Sequence, residues 1–276
     1  MAQIVAGVGV PHTPAFPANV DVGDKTDETS RYFQNVADQL AEEQPDVLVM
    51  FDSDHLNTFF LDNMPMISIG VAPRTAGPND GTPGLGDVDL LVPEALGVHV
   101  RGSCVDSRFD VSLTQEFTVD HSILVPLHYL TPQHDIPVLP IFVNGLVPPL
   151  PAADRCLDLG RAVGAAIRDW PDDLRVAIVA SGSFSLDVGG PHIRPDQIFG
   201  VPAEDWVVEV SEHLTSGDVE RLVARATPPR IATAGNVGGE LLNWIAMLGA
   251  IGTPQPASLD LQTHLGHGYG FWKVAP

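Results

Sequence analysis

Residues 46–55 read DVLVMFDSDH, a short unbroken apolar run that ends in two aspartates and a histidine. A run of that length, bounded by Pro45 and rich in Val, Leu, Met and Phe, has the signature of a strand buried on both faces. Just upstream, residues 27–44 place Phe33, Val36 and Leu40 on one helical stripe, with Glu42 and Glu43 off it, and Pro45 stops the pattern. Further upstream, residues 3–10 (QIVAGVGV) repeat the strand pattern and break at Pro11. Strand, helix and strand in this order predict a parallel pairing of the two runs.

Working toward the C-terminus, residues 136–143 (IPVLPIFV) and 174–180 (LRVAIVA) read as further inner strands. Pro137 and Pro140 count against the first, since each lacks a ladder donor. Residues 154–169 carry a helical pattern between them. Residues 203–214 and 216–226 read as two helices parted at Ser216-Gly217, and 239–250 (GELLNWIAMLGA) as a strongly apolar, buried helix. Residues 73–87 (PRTAGPNDGTPGLGD) are crowded with Pro and Gly and read as a long surface loop, a place where function often resides. No repeat, low-complexity tract or linker divides the chain. The expectation is a single α/β domain over 1–276, its central mixed or parallel sheet flanked by helices.

The 35 acidic residues outnumber Lys and Arg, which total 14, for a formal net charge of −21. Such a surface repels phosphate backbones and anionic lipid, so neither nucleic acid nor membrane is an expected partner. No run reaches the roughly 18 apolar residues of a membrane span. The N-terminal stretch has no basic region and breaks at Pro11, unlike a signal peptide. Cys104 and Cys156 form no CxxC pair, and a reducing cytoplasm is the expected location.

Three residues stand out chemically. His12 follows the first strand in VPHTP, and His55 closes the second in DSDH, so two strands of one unit deliver histidines to the same sheet edge. In α/β proteins that carboxyl edge is where ligands bind. Glu240 begins an otherwise apolar helix, where a carboxylate is costly unless paired, capped or bound to metal. Read blandly, these are two loop histidines and a glutamate favoured by a helix dipole. Read together, two histidines and a carboxylate suit a non-haem Fe(II) centre with open positions. Thr13 and Asp54, beside the two histidines, are expected to line the pocket or support the ligands. GVGVPH is no dinucleotide fingerprint, and GSFS lacks the GxSxG nucleophile turn.

The ordered set PHTP, DSDHLNTFF, DHSILVPL (120–127) and GGELLNWIAMLGA resembles the class III extradiol ring-cleavage dioxygenases, relatives of the protocatechuate 4,5-dioxygenase β subunit. The resemblance runs over nearly the whole chain. It implies Fe(II) bound by His12, His55 and Glu240, an aromatic diol and O2 as substrates, and, as in some relatives, a small partner subunit; a homo-oligomer is the other expectation. It also implies that His121 lies in the active site, hydrogen-bonding the substrate or donating a proton, set against a histidine that only anchors the DHSILVPL segment. One position departs from the pattern: Leu186 stands where the family places a second acid–base histidine. His192, in GGPHIRP, is then the nearest substitute, with His264 and His267 weaker candidates. A zinc or iron hydrolase or lyase, or a non-catalytic subunit, is the alternative such a change invites. Phe59, Phe60 and Trp244 are candidates for an aromatic pocket, set against the commoner fate of such side chains in the core. Arg74, Arg101 and Arg194 are unranked candidates for a substrate-carboxylate clamp.

Overall fold

A computed structural model describes residues 1–189, 193, 197–252 and 255–275. The apolar runs become strands β1 (Gln3–Val10), β2 (Val47–Asp52), β7 (Val138–Val143) and β8 (Arg175–Ser181). They lie mutually parallel in the order β1-β8-β2-β7. Four more strands complete an eight-stranded mixed sheet. These are β3 (Ile67–Gly70), β6 (Ser112–Thr114), β11 (Ser258–Gln262) and β12 (His267–Lys273), in the overall order β11-β12-β1-β8-β2-β7-β3-β6. β12 runs antiparallel to β1 and β11, and β3 antiparallel to β7.

The pairing of β1 with β2 expected from the sequence is corrected here. The two strands run the same way, but β8 lies between them and pairs with both. A strand–helix–strand unit sets direction and hand; it does not forbid a later segment from filling the gap. Pro140 is tolerated inside β7 because the antiparallel register with β3 ends at Ile69↔Ile141, so no partner on that side awaits its missing N–H.

Both faces of the sheet are covered, which is why the inner strands are apolar without alternation. Val49, Phe51, Ile141 and Ile178 face one core, closed by helices α3 (Glu94–Asp106), α5 (Ala153–Asp169) and α9 (Leu241–Ile251). Leu48, Met50, Phe142 and Val179 face the other, closed by α2 (Glu28–Glu42) and α4 (His121–Leu130). The smaller helices are α1 (Phe16–Asn19), α6 (Glu204–Ser216), α7 (Val219–Arg225) and α8 (Pro228–Thr233). Gly217 ends α6 in the left-handed conformation, at the break the sequence marks. Residues 73–87 are not loop throughout: β4 (Arg74–Gly77) pairs with β5 (Val88–Leu91) as a hairpin, and the loop proper spans 78–87. β9 (Asp187–Val188) and β10 (Phe199–Gly200) make a second small ribbon. Among the described residues no helix is long and apolar enough to cross a membrane.

α5 and α9 meet at glycine. A Cβ on Gly160 would lie 1.9 Å from the Ala246 carbonyl oxygen. Gly160→Ala therefore forces backbone apart, and we expect a loss of about 1–3 kcal/mol. A lower urea midpoint at unchanged slope would show it.

Candidate metal centre and cavity

The carboxyl ends of β1, β8 and β2 are adjacent on one edge, and the chemistry gathers there. His12 leaves β1, Ser181 ends β8, and His55 follows β2. Glu240 closes a turn of 3-10 helix (Gly238–Glu240) that leads into α9. The structure thus brings together the three residues singled out in the sequence: Glu240 Oε1 lies 3.1 Å from His12 Nε2 and 3.3 Å from His55 Nε2. Glu240 Oε2 accepts the Ser183 backbone N–H at 2.7 Å. Gly182, between Ser181 and Ser183, makes the approach feasible. Its φ is +149°, and a Cβ there would lie 2.4 Å from Glu240 Cβ.

The far side of each imidazole decides what the near side can do. Pro126 lies inside α4 and has no N–H to give the Ser122 carbonyl one turn earlier. That carbonyl accepts the Ser181 hydroxyl instead, at 2.6 Å. With its proton so used, Ser181 Oγ can only accept from His12 Nδ1–H, 2.7 Å away. His55 is held by Asp120, whose Oδ2 accepts its backbone N–H (2.9 Å) and faces its Nδ1 (3.3 Å). In the neutral rings both Nδ1 atoms therefore carry the proton, and both Nε2 lone pairs point at a carboxylate oxygen. Two ring nitrogens and a carboxylate oxygen converge on one buried point, an arrangement that a shared cation reconciles, as a proton on His55 Nε2 does without one. The donor set therefore fits a metal ion. His121 adds a third ring nitrogen within 4.8 Å of the two histidines, but its ring lies against the face of His55, with centroids 4.3 Å apart and planes 35° off parallel.

The electrostatics agree with that reading. Burial alone would depress His55, but its hydrogen bonds to Asp120 and Glu240 raise it to about 10. Burial alone would raise Glu240, but His12 and His55 hold it well below the usual carboxylate range. The centre draws positive charge. Asp52, behind it, is pushed well above the carboxylate range by burial and then by the charge of Asp120. Ser122 Oγ lies 2.9 Å from Asp52 and 2.5 Å from Asp120. One hydroxyl proton cannot serve both, so protonated Asp52 donates to Ser122, which donates to Asp120.

Asp54 does not orient the His55 ring, and the expectation that it supports that ligand directly is corrected. Its carboxylate accepts the backbone N–H groups of Asn57, Thr58 and Phe59, folding the turn that carries His55. Asp120 holds the ring instead, and also caps α4 through the Ser122 N–H. Asp120→Asn keeps the cap but turns an amide donor toward the donors of His55. We expect metal affinity to fall about 10- to 100-fold, measured by competition with a chromophoric chelator.

Beside the centre opens a cavity of about 320 Å³. Thr13, Asn57, Asp80 and His121 line its polar side; Pro14, Leu186, Val188 and Val237 line an apolar side. His121 Nδ1–H donates to Asp80, a residue of the 78–87 loop, leaving Nε2 as an acceptor. Burial depresses the His121 pKa, with Asp80 opposing, and Asp80 itself is lowered to about 2: burial raises it, but the bonds from His121 and Thr82 outweigh that. Leu186 lies in the cavity wall, 8% exposed. His192 and Arg194 lie outside the described residues. His264 is exposed, whereas His267 is buried, depressed to about 3 by burial, and lies 3.1 Å from Thr13 Oγ1.

The aromatic residues considered for the pocket lie elsewhere. Trp244 is fully buried in the core, with its indole N–H on the Gly182 carbonyl. Phe59 packs edge-on against Phe142, and Phe60 is 58% exposed. Arg74 pairs with Asp89 on the exposed hairpin and Arg101 reaches the Val111 carbonyl, so neither lines the cavity. Asp80, Asp120, Ser181 and Ser183 join the site without standing out in the sequence. Their signals there are slight: Asp80 lies in the Gly/Pro-rich stretch where function is expected, and Asp120 is the polar residue before the apolar run of α4.

Residues 6–271 match the family described as the catalytic LigB subunit of aromatic ring-opening dioxygenase. A curated relative from Photorhabdus laumondii, named 2,3-dihydroxyphenylpropionate/2,3-dihydroxicinnamic acid 1,2-dioxygenase, is 30% identical over 258 residues, covering 79% of each chain. A relative of the same name from Escherichia coli O139:H28 is 27% identical, covering 82% of this chain and 83% of its own. The crystal structure of an uncharacterized protein from Escherichia coli K12 superposes with a TM-score of 0.62 at 16% identity, covering 97% of this chain and 99% of that one. It shows a shared fold.

Proposed function

This chain belongs to the family of catalytic LigB subunits of aromatic ring-opening dioxygenases, and on that premise we propose that it opens a side-chain-bearing catechol with Fe(II) held by His12, His55 and Glu240. The observation that carries the ligand set is the convergence of His12 Nε2 and His55 Nε2 on one buried carboxylate oxygen of Glu240. Ring opening of a catechol-type diol is the activity of the family and of this chain, and it is metal-dependent. Two nitrogens and one oxygen on one face suit ferrous iron and leave positions for the reactants. The ion, when bound, supplies a template for the diol and the one-electron chemistry that dioxygen requires.

The chain's own groups do the rest. His121, with Nε2 free, is placed to take the proton of a diol hydroxyl and later to return it. Asp80 fixes its tautomer and steadies the imidazolium that forms in between. Leu186, Val188 and Val237 seat the ring and its substituent and keep water away.

The relatives named for 2,3-dihydroxyphenylpropionate favour a catechol substituted next to the diol. No Lys or Arg lines the cavity among the described residues. A 3-alkylcatechol is therefore expected to show a kcat/KM at least equal to that of the propionate. Strong preference for the propionate, lost in Arg194→Ala, would place a carboxylate clamp in the 190–196 segment. The function itself is tested by oxygen uptake from anaerobically reconstituted Fe(II) protein across a catechol panel. Stoichiometric uptake with a new absorbing product supports the proposal; none, from protein shown to hold iron, sinks it.

A further inference from the structure

Thr13 and His267 form a pair that the metal argument leaves unused. β12 opens on His267, whose ring is 2% exposed and meets Phe16 edge-to-face, centroids 5.5 Å apart. Its Nε2 lies 3.1 Å from Thr13 Oγ1, and its buried Nδ1 has no hydrogen-bond partner among the described residues. Among the described residues no carboxylate bonds the ring, so burial keeps it neutral. A neutral imidazole carries one proton, and the two tautomers differ in what they strand. With the proton on Nδ1, an N–H is orphaned in the interior, which folded proteins avoid. With the proton on Nε2, that N–H donates to Thr13 Oγ1 and only a lone pair goes unused.

Having accepted this bond, the Thr13 hydroxyl keeps its own proton free. No acceptor for it exists among the described residues, and Thr13 lines the cavity next to His12. We infer that His267 is a positioning residue that fixes the Thr13 hydroxyl as a hydrogen-bond donor into the cavity, aimed at a diol oxygen of the bound catechol. A phenolate oxygen is the acceptor such a donor serves best, because a charged partner roughly doubles the bond's strength. The inference rests on reading the cavity as the diol site.

The test is catechol binding under argon to Fe(II)-loaded protein, followed by absorbance with 4-nitrocatechol as probe, alongside the KM and kcat of each variant. Thr13→Val and His267→Phe should each weaken the probe about 10- to 100-fold, and the double variant should lose no more than either alone. Thr13→Ser restores the hydroxyl, and His267→Gln places an amide N–H near the lost Nε2–H; both should bind close to wild type. Iron content and circular dichroism identify any variant that fails to fold, and the Gln and Ser variants then carry the comparison. Equal binding by wild type and a folded His267→Phe overturns this inference alone, as does a His267→Gln no better than His267→Phe. A wild-type protein that holds iron but binds no catechol overturns the diol site and this inference with it.

Discussion

Glu240→Gln is expected to abolish metal binding and ring opening while leaving the metal-stripped protein at least as stable as stripped wild type. The two halves of that result have one cause. Glu240 is 1% exposed, and its Oε1 faces the Nε2 atoms of His12 and His55. In the wild type a metal ion, or a proton on His55 when the metal is absent, settles that contact. A glutamine settles it without either: its Oε1 can accept the Ser183 N–H now bonded to Oε2, while its amide N–H groups donate to His12 Nε2 and His55 Nε2. The amide also removes the buried charge, whose isolation is expensive without partners. The ligand set loses an anionic donor and presents a hydrogen-bonded lid in its place. The fall in metal affinity should exceed the 10- to 100-fold typical of losing a supporting partner, and oxygen uptake should vanish with it. Metal content after dialysis and the melting temperature of stripped proteins check both halves. Retained iron, or a stripped variant that melts well below stripped wild type, would show that the oxygen is not where the cation binds.

Residues of this site differ in how plainly the amino-acid sequence displays them. His12, His55 and Glu240 are legible because each is a polar residue at the end of an apolar segment, and such breaks announce themselves in one dimension. That β8 slips between β1 and β2 is not legible, because nothing in residues 3–52 encodes which later strand fills the gap. The consequence is chemical: it is β8 that delivers Ser181 to His12 and Ser183 to Glu240. Asp80 is hidden because a Gly/Pro-rich loop has no periodicity from which to infer direction. Asp120 is hidden behind Asp54, the nearer carboxylate in sequence, which the turn at 57–59 claims for its own backbone. The hairpin β4–β5 escapes because RTAG and VDLL carry no clear alternation. Trp244 cannot be kept out of the pocket by sequence alone: an all-apolar helix does not say which face meets the site, and here every residue of α9 is buried.

His121→Phe is expected to lower kcat by roughly two to four orders of magnitude with iron content unchanged. The substitution separates what the ring does as a ring from what it does as an acid and base. A phenyl group preserves the packing against His55, centroids 4.3 Å apart. It deletes Nε2, which faces the cavity, and Nδ1–H, which Asp80 receives. Asp80 is not stranded, for it keeps the Thr82 N–H and hydroxyl at 3.1 and 2.7 Å. Stability should therefore change little while proton transfer is lost. Asp80→Asn should be damaging too, although it touches no reacting atom. An asparagine can turn its amide N–H toward Nδ1, drawing the imidazole proton to Nε2 and converting the base into a donor. The pH profile supplies the independent check. Burial first, with Asp80 opposing, places His121 below the ordinary imidazole value of 6.5, so the ring is neutral and able to accept a proton at pH 7. The acid limb of kcat/KM should accordingly fall below pH 6.5, and the His121-dependent limb should be missing from His121→Phe. If that variant keeps the wild-type rate and limb, the proton passes through another group, and His192→Ala becomes the decisive comparison.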